Sequence, residues 1–260
     1  MHDRIALDVE GGVAHVRLAR PDKLNALDPA MFEGIAAAIE RIGAMADVRC
    51  VVLSGEGRGF CTGLDMAAMA GGGSGLLTQE RTHGLANLVQ QVAWGWRTLP
   101  QPVIAAVHGA CLGGGLQVAA GADVRLVAAD ARLSVRELHW GIVPDMAGFA
   151  LWRTCVRDDV LREAVYSARE FDGEEAVRLG FATRTAADPL ADAMELARTI
   201  AGRHPAAIRA AKRLLATSAA GDDAATLAAE SAEQAALLGT PDQREQVRAN
   251  MEKRLPRFAD

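Results

Sequence analysis

No uncharged apolar run in the 260 residues reaches the ~18 needed to cross a bilayer, which argues against an integral membrane protein. The start, Met1-His2-Asp3-Arg4-Ile5-Ala6-Leu7-Asp8, lacks the basic-then-apolar order of a secretory leader, so a cytoplasmic protein with no membrane partner is expected. The four cysteines, Cys50, Cys61, Cys111 and Cys155, show no Cys-x-x-Cys spacing, and reduced, mostly buried thiols are expected rather than a zinc site or a disulfide framework. The six histidines are equally dispersed, with no His-Glu-x-x-His pattern, so no residue is nominated as a metal ligand. A basic excess is also missing. The net charge is −5, and the densest basic helix carries only Arg209, Lys212 and Arg213, so no nucleic-acid partner is expected. Absent, too, is the Gly-x-Gly-x-x-Gly spacing of a dinucleotide site, which counts against a dehydrogenase.

What is present begins with balance: half of the residues are hydrophobic and 23% are charged, as in an ordinary globular chain with room for a large core. Residues 4–9 and 13–18 alternate apolar and polar around Gly11-Gly12, a hairpin pattern. Asp28-Pro29 reads as N-cap and first-turn proline of a helix running to about Met45. Arg49–Leu53, Val103–Val107 and Val124–Ala128 read as buried strands, and a helix of about twenty residues through Trp94 and Trp96 separates the first two. Strands alternating with helices imply an α/β body. From Pro189 onward the texture is helical, with Ala, Leu, Glu and Arg dominant and breaks at Pro205, Gly221-Asp222 and Pro241. In the helix after Pro205, Ile208, Ala211 and Leu215 share one face and Arg209, Lys212 and Arg213 another, and packing on the body and on a neighbouring subunit are both expected of this tail.

Two glycine-rich turns stand out. Ser54-Gly55-Glu56-Gly57-Arg58-Gly59-Phe60-Cys61-Thr62-Gly63-Leu64-Asp65 opens on a short helix that Asp65 would cap, and Gly113-Gly114-Gly115 joins a buried strand to an enclosed helix. Consecutive glycines cost backbone entropy and are tolerated where something must approach the main chain. At a helix start that something is electron-rich, because free N–H groups and the dipole point outward there. A tight turn with no ligand would use the same residues. Gly71-Gly72-Gly73-Ser74-Gly75 reads as a flexible loop, a lid or a surface insertion.

Taken together, these stretches resemble the crotonase family, the enoyl-CoA hydratases and isomerases. Four blocks match in order: Arg20-Pro21 with Asn25-Ala26-Leu27; Gly59 to Asp65; His108-Gly109 with Gly113-Gly114-Gly115; and Glu137 with Gly141-Ile142-Val143-Pro144 and Gly148. The end, Met251 to Phe258, is similar to the family's C-terminal helix. The resemblance implies an α/β fold, a crotonase-like spiral of ββα units over residues 1–188. It also implies a helical C-terminal region, residues 189–260, that builds homotrimers, often paired into hexamers.

The family's chemistry holds an acyl-CoA thioester with its carbonyl oxygen between two backbone N–H groups that stabilise an enolate. By position these fall at Leu64 and Gly114, and one such donor is typically worth ~3 kcal/mol in the transition state. CoA enters as part of the substrate and no separate cofactor is implied. Hydratases of the family carry two glutamates. Here the first position is Gln117, an amide that orients but cannot exchange a proton, and the second is Glu137. Glu137 alone can serve double-bond isomerisation, removing a proton at C2 and returning it at C4, which places isomerisation ahead of hydration. Asp145 stands where typical hydratases resemble one another in having glycine and where diene-isomerising or halide-displacing members carry aspartate. It is either a second catalytic carboxylate or the cap of a helix starting near Met146. The resemblance further implies contacts to CoA from Lys23, Leu24, Thr62 and Gly63-Leu64, with Lys253, Arg254 and Arg257 offering charge to its phosphates. His139, Trp140, Cys61 and Cys111 are expected as wall or core. A catalytically silent acyl-CoA binder is the competing reading.

Overall fold

The computed structural model describes residues 3–69 and 79–258; the glycine-rich stretch at 71–75 lies outside the described residues. A hairpin of β1 (Ile5–Glu10) and β2 (Val13–Leu18) leads to α1 (Pro29–Gly43), β3 (Cys50–Gly55), β4 (Gly59–Cys61), the short α2 (Met66–Met69) and α3 (Leu88–Thr98). Then come β5 (Val103–Val107), β6 (Ala110–Leu112), α4 (Gly114–Ala120), β7 (Val124–Val127), β8 (Arg132–Ser134) and a 3-10 turn at Glu137–Trp140. The body closes with α5 (Gly148–Trp152), α6 (Asp158–Ser167), β9 (Phe171–Asp172), α7 (Gly173–Leu179) and β10 (Arg184–Thr185). Four helices form the tail: α8 (Pro189–Ala201), α9 (Pro205–Ser218), α10 (Asp223–Leu237) and α11 (Pro241–Met251).

The strands sort into two sheets, ordered β1-β2-β3-β5-β7-β10 and β4-β6-β8-β9. After the opening hairpin, the pairs β3-β4, β5-β6 and β7-β8 each lay one strand in the first sheet and the next in the second before a helix returns the chain, which is the expected spiral of ββα units. The central strands are parallel and read as unbroken apolar runs because both faces are covered. In β5, Val103, Ala105 and Val107 face the main core, while Ile104 and Ala106 face a second cluster under α8. Helix α8 reaches that face through Ala193, Ala197 and Ala201, one small residue per turn.

One expectation is corrected. The helix before Pro100 runs only from Leu88 to Thr98, because Asn87 caps it: its side chain accepts from the Gln90 N–H at 2.8 Å, and Gln90 returns a bond to the Asn87 N–H at 3.1 Å. Ahead of it, Gly84 at φ +65° turns the chain. In α9, moreover, the face that meets the body is the one carrying Lys212. Its ammonium pairs with Asp123 at 2.8 Å and donates to the carbonyls of Gln101 at 2.8 Å and Trp96 at 3.2 Å, while Leu215 stays exposed. Asp28 does cap α1, accepting from the Met31 N–H at 2.8 Å. Among the described residues, no helix is long and apolar enough to cross a membrane.

Candidate active site

The two glycine-rich turns meet. Strand β4 delivers Gly63 beside the start of α4, so closely that a Cβ on Gly63 would lie 3.0 Å from the Gly114 nitrogen and 2.7 Å from the Leu112 carbonyl oxygen. At φ +82°, Gly63 adopts a conformation that side chains resist, and a methyl there would fill the space between the turns. Leu27 clamps the segment: it donates to the Gly63 carbonyl at 2.8 Å and accepts from the Asp65 N–H at 3.0 Å. Leu64, between them, keeps its N–H without an acceptor among the described residues. The Gly114 N–H opens α4 and so has no acceptor within that helix. Gly115 lets this helix start lie against β4, since a Cβ there would meet the Cys61 carbonyl oxygen at 2.2 Å. Two donors on neighbouring turns are thus presented to one cleft.

The rest of the sequence block at Arg20–Leu27 holds this arrangement. Asn25, fully buried, donates to the carbonyls of Glu56 and Gly59 at 2.9 Å and of Phe60 at 3.1 Å, and accepts from the Arg20 N–H at 2.9 Å. Arg20 reaches Asp65 at 2.7 Å, and Asp65 also accepts from the Ala68 N–H at 3.1 Å, so it caps α2 as expected. The Ala68 N–H and then the Arg20 guanidinium hold the Asp65 carboxyl below the usual range.

A cavity of about 550 Å³ opens beside the two donors. Phe32, Leu64, Met66, Val89, Ile142 and Met146 give it an apolar wall, and its charged residues are Arg136, Glu137 and Asp145. Glu137 is 6% exposed, and its Oε1 lies 3.5 Å from where a Cβ on Gly113 would sit. That places the carboxylate against the turn carrying Gly114. Its Oε2 is buried and has no partner among the described residues. Loss of water raises the Glu137 carboxyl above its ordinary value, the negative charge of Asp145 adds to the rise, and the hydrogen bond from Gln117 opposes it.

Asp145 lines the same cavity and keeps much of its surface open, although the surrounding protein is close enough to raise its carboxyl by desolvation. It does not cap a helix. Helix α5 begins at Gly148 behind Ala147, which sits at φ +67° and makes no side-chain cap. The cap position therefore falls two residues later than the sequence suggested. Gln117 stands outside the cavity lining. It is fully buried and lies behind Glu137 rather than in the cavity wall, because its amide is consumed: Nε2 donates to Glu137 Oε1 at 2.5 Å, and Oε1 accepts from the Met146 and Gly148 N–H groups at 3.0 Å each.

Thr62, Gly63 and Leu64 line the cavity, as does Trp140, which stands edge-on to the exposed ring of His139. Cys61 and Cys111 are core, and burial pushes the Cys61 thiol up to about 12; Cys155 is exposed. Lys23 and Leu24 fall outside the cavity lining, and their backbone is already engaged. Their N–H groups donate within the tight turn, the Lys23 carbonyl accepts from Ala26 and the Leu24 carbonyl from both the N–H and the hydroxyl of Thr62, so of these backbone groups only the second lone pair of the Lys23 carbonyl remains for any ligand. Lys253 and Arg257 do not line the cavity within one chain; the Arg257 N–H donates to Glu245 at 2.9 Å. Sequence reasoning missed Arg136, which lines the cavity and pairs with Glu170 at 3.0 Å. Its place directly before Glu137 was the available signal. Among the described residues no group of three or more His, Cys, Asp or Glu side chains is gathered as a metal site would require.

The family model for enoyl-CoA hydratase/isomerase matches residues 8–260. YngF of Bacillus subtilis (strain 168), named as an enoyl-CoA hydratase/isomerase, is 32% identical over 258 residues, covering 98% of this chain and 97% of that protein. The peroxisomal Delta(3,5)-Delta(2,4)-dienoyl-CoA isomerase of Arabidopsis thaliana is 30% identical over 267 residues, covering 98% and 95%. The crystal structure of an enoyl-CoA hydratase from Bacillus anthracis matches with a TM-score of 0.87 at 28% identity over 98% of each chain.

Proposed function

The chain belongs to the enoyl-CoA hydratase/isomerase family, and on that premise we propose that it moves a carbon–carbon double bond within an enoyl-CoA thioester rather than adding water across one. The observation that carries this reading is the amide at Gln117. Hydration asks one group to activate water and another to manage the second proton, whereas Gln117 has no proton to exchange and both ends of its amide are occupied. Isomerisation needs less. With the thioester oxygen between the Leu64 and Gly114 N–H groups, Glu137 takes a proton from the carbon beside the carbonyl and electron density moves onto the oxygen. Collapse of that enolate with protonation further along the chain relocates the double bond. One proton leaves and one returns, so the balance asks for no electron acceptor. Two donors at ~3 kcal/mol each and a general base contributing roughly 10² to 10⁴ in rate account for the chemistry.

Asp145 favours a second reading within the same class. A carboxylate in the cavity wall that caps nothing is suited to return the proton at the far end of a conjugated dienyl chain while Glu137 works beside the carbonyl. The name carried by the Arabidopsis relative agrees with it. The same arrangement supports an acyl-CoA thioester as the partner that fills the cavity.

The test is turnover of 3-enoyl-, 2-enoyl- and 3,5-dienoyl-CoA by wild type, Glu137→Gln and Asp145→Asn. Double-bond migration lost in Glu137→Gln supports the reading, and water addition as the main wild-type reaction overturns it. Loss on the diene alone in Asp145→Asn selects the two-carboxylate route.

A further inference from the structure

We infer that Gln117 is a positioning residue for both carboxylates: it keeps Glu137 in its acceptor state and fixes the register of the turn that carries Asp145. The inference rests on Glu137 being the base, as proposed above. Orientation of the amide is settled by its partners. Two backbone N–H groups, of Met146 and Gly148, point at Oε1, so that atom is the oxygen and Nε2 is left as an obligate donor to Glu137. Crowding reinforces this, since a Cβ on Gly148 would lie 2.7 Å from Gln117 Oε1 and only a glycine lets the backbone come so close.

One buried side chain therefore ties α4, the Glu137 turn and the 145–148 turn together. Its hydrogen bond is the only side-chain bond to the Glu137 carboxylate among the described residues, whose other oxygen is buried with no partner. The charged groups facing Glu137 are few. Asp145 comes from the opposite turn, and Arg136 from its own stretch, already paired with Glu170; α4 contributes only the Gln117 amide. Desolvation and Asp145 both disfavour the ionised base; backbone N–H groups, that of Glu137 itself foremost, oppose them, and Gln117 is the side chain that does so.

The test compares pH profiles of kcat/KM for the intact enzyme, Gln117→Met and Gln117→Glu, using whichever enoyl-CoA the wild type turns over, with thermal unfolding recorded alongside. In Gln117→Met the acidic limb should rise by about one pH unit, the scale of one hydrogen bond to an ionised group, with kcat down about tenfold and KM within about threefold. Gln117→Glu can still accept from the two N–H groups but donates to Glu137 only when protonated, so its limb should rise further and broaden into two ionisations sharing one proton. A purely structural residue would lower the unfolding temperature and leave the limb in place. An unmoved limb in folded Gln117→Met overturns the inference; should that variant not fold, an unmoved limb in Gln117→Glu does so. Undiminished turnover by Glu137→Gln would instead overturn the base assignment beneath it, whatever the Gln117 variants show.

Discussion

Replacing Glu137 by Gln separates what the carboxylate does for catalysis from what it costs the fold. The catalytic side is direct: an amide cannot take the proton, so kcat/KM should fall by about 10² to 10⁴, or roughly 2.7 to 5.5 kcal/mol of barrier. The fold responds differently. Because burial raises the Glu137 carboxyl, the folded state resists its ionisation. At low pH both states carry the proton and the residue costs nothing. As pH rises through the unfolded-state pKa the unfolded chain ionises first and stability falls, until pH passes the higher folded-state pKa and the loss becomes constant, at about 1.4 kcal/mol for each unit of elevation. The glutamine variant has no such loss. Its own penalty is pH-independent: the carbonyl can take the Gln117 bond, but the new NH2 group occupies the position of Oε2, where no partner exists among the described residues, at a cost of about 1–3 kcal/mol. That penalty shifts the whole curve and leaves its slope alone. The difference in unfolding temperature between variant and wild type should therefore move in favour of the variant as pH is raised from about 4 to about 8. Thermal melts across that range, with initial-rate assays on the same preparations, check both halves. A difference that stays flat with pH, or turnover within threefold of wild type, would refute the reasoning.

Asp145→Asn should not lower the unfolding temperature, since desolvation already disfavours the ionised carboxylate, whereas loss of a true helix cap would cost about 1 kcal/mol; turnover of a 3,5-dienoyl-CoA should drop at least about tenfold, as removal of a general acid does. Gly63→Ala forces a side chain into φ +82° and puts a methyl 3.0 Å from the Gly114 nitrogen. It should lose about 1–2 kcal/mol of stability and, by displacing a donor on the scale of an ångström, about 10² in kcat, measured by denaturant melts and single-turnover rates. Lys212→Met leaves Asp123 with the Val103 N–H but no cation and removes a donor from two backbone carbonyls at the α9 contact, and because Asp123 also keeps a quarter of its side chain exposed the expected cost is discounted to about 2–3 kcal/mol, read as a lower urea midpoint with unaltered KM.

Much of the fold was legible because its signals are local. Asp28-Pro29 caps α1, the glycines mark the turns, and the unbroken apolar runs of β3 and β5 follow from sheets covered on both faces. The capping box at Asn87 and Gln90 was just as local and shows that the α3 start could have been read from side-chain chemistry. Other features depend on distant chain. Nothing near Lys212 in sequence announces that Asp123 and the carbonyls of Trp96 and Gln101 wait for it, so helical periodicity alone could not say which face of α9 meets the body. The same holds for Gln117, whose burial is decided by two N–H groups some thirty residues downstream.

Under the proposed mechanism the work divides between main chain and side chain, which accords with a chain about 30% identical to relatives named for two reactions. In the proposed mechanism the oxyanion donors are backbone atoms. Glycines that permit close approach hold them in place, and no side chain at Leu64 or Gly114 is called on to react. The proposed mechanism leaves the outcome of the reaction to residues 117, 137 and 145, yet these are not independent. A glutamate at position 117 in this chain would still meet the Met146 and Gly148 N–H groups, which draw a carboxylate oxygen away from the cavity. Its other oxygen would face Glu137 Oε1 at the distance now spanned by the amide bond, and two carboxylates that close share one proton rather than act as separate acid and base. Water addition therefore does not follow from restoring a glutamate alone; the 145–148 turn must also release its hold on that side chain.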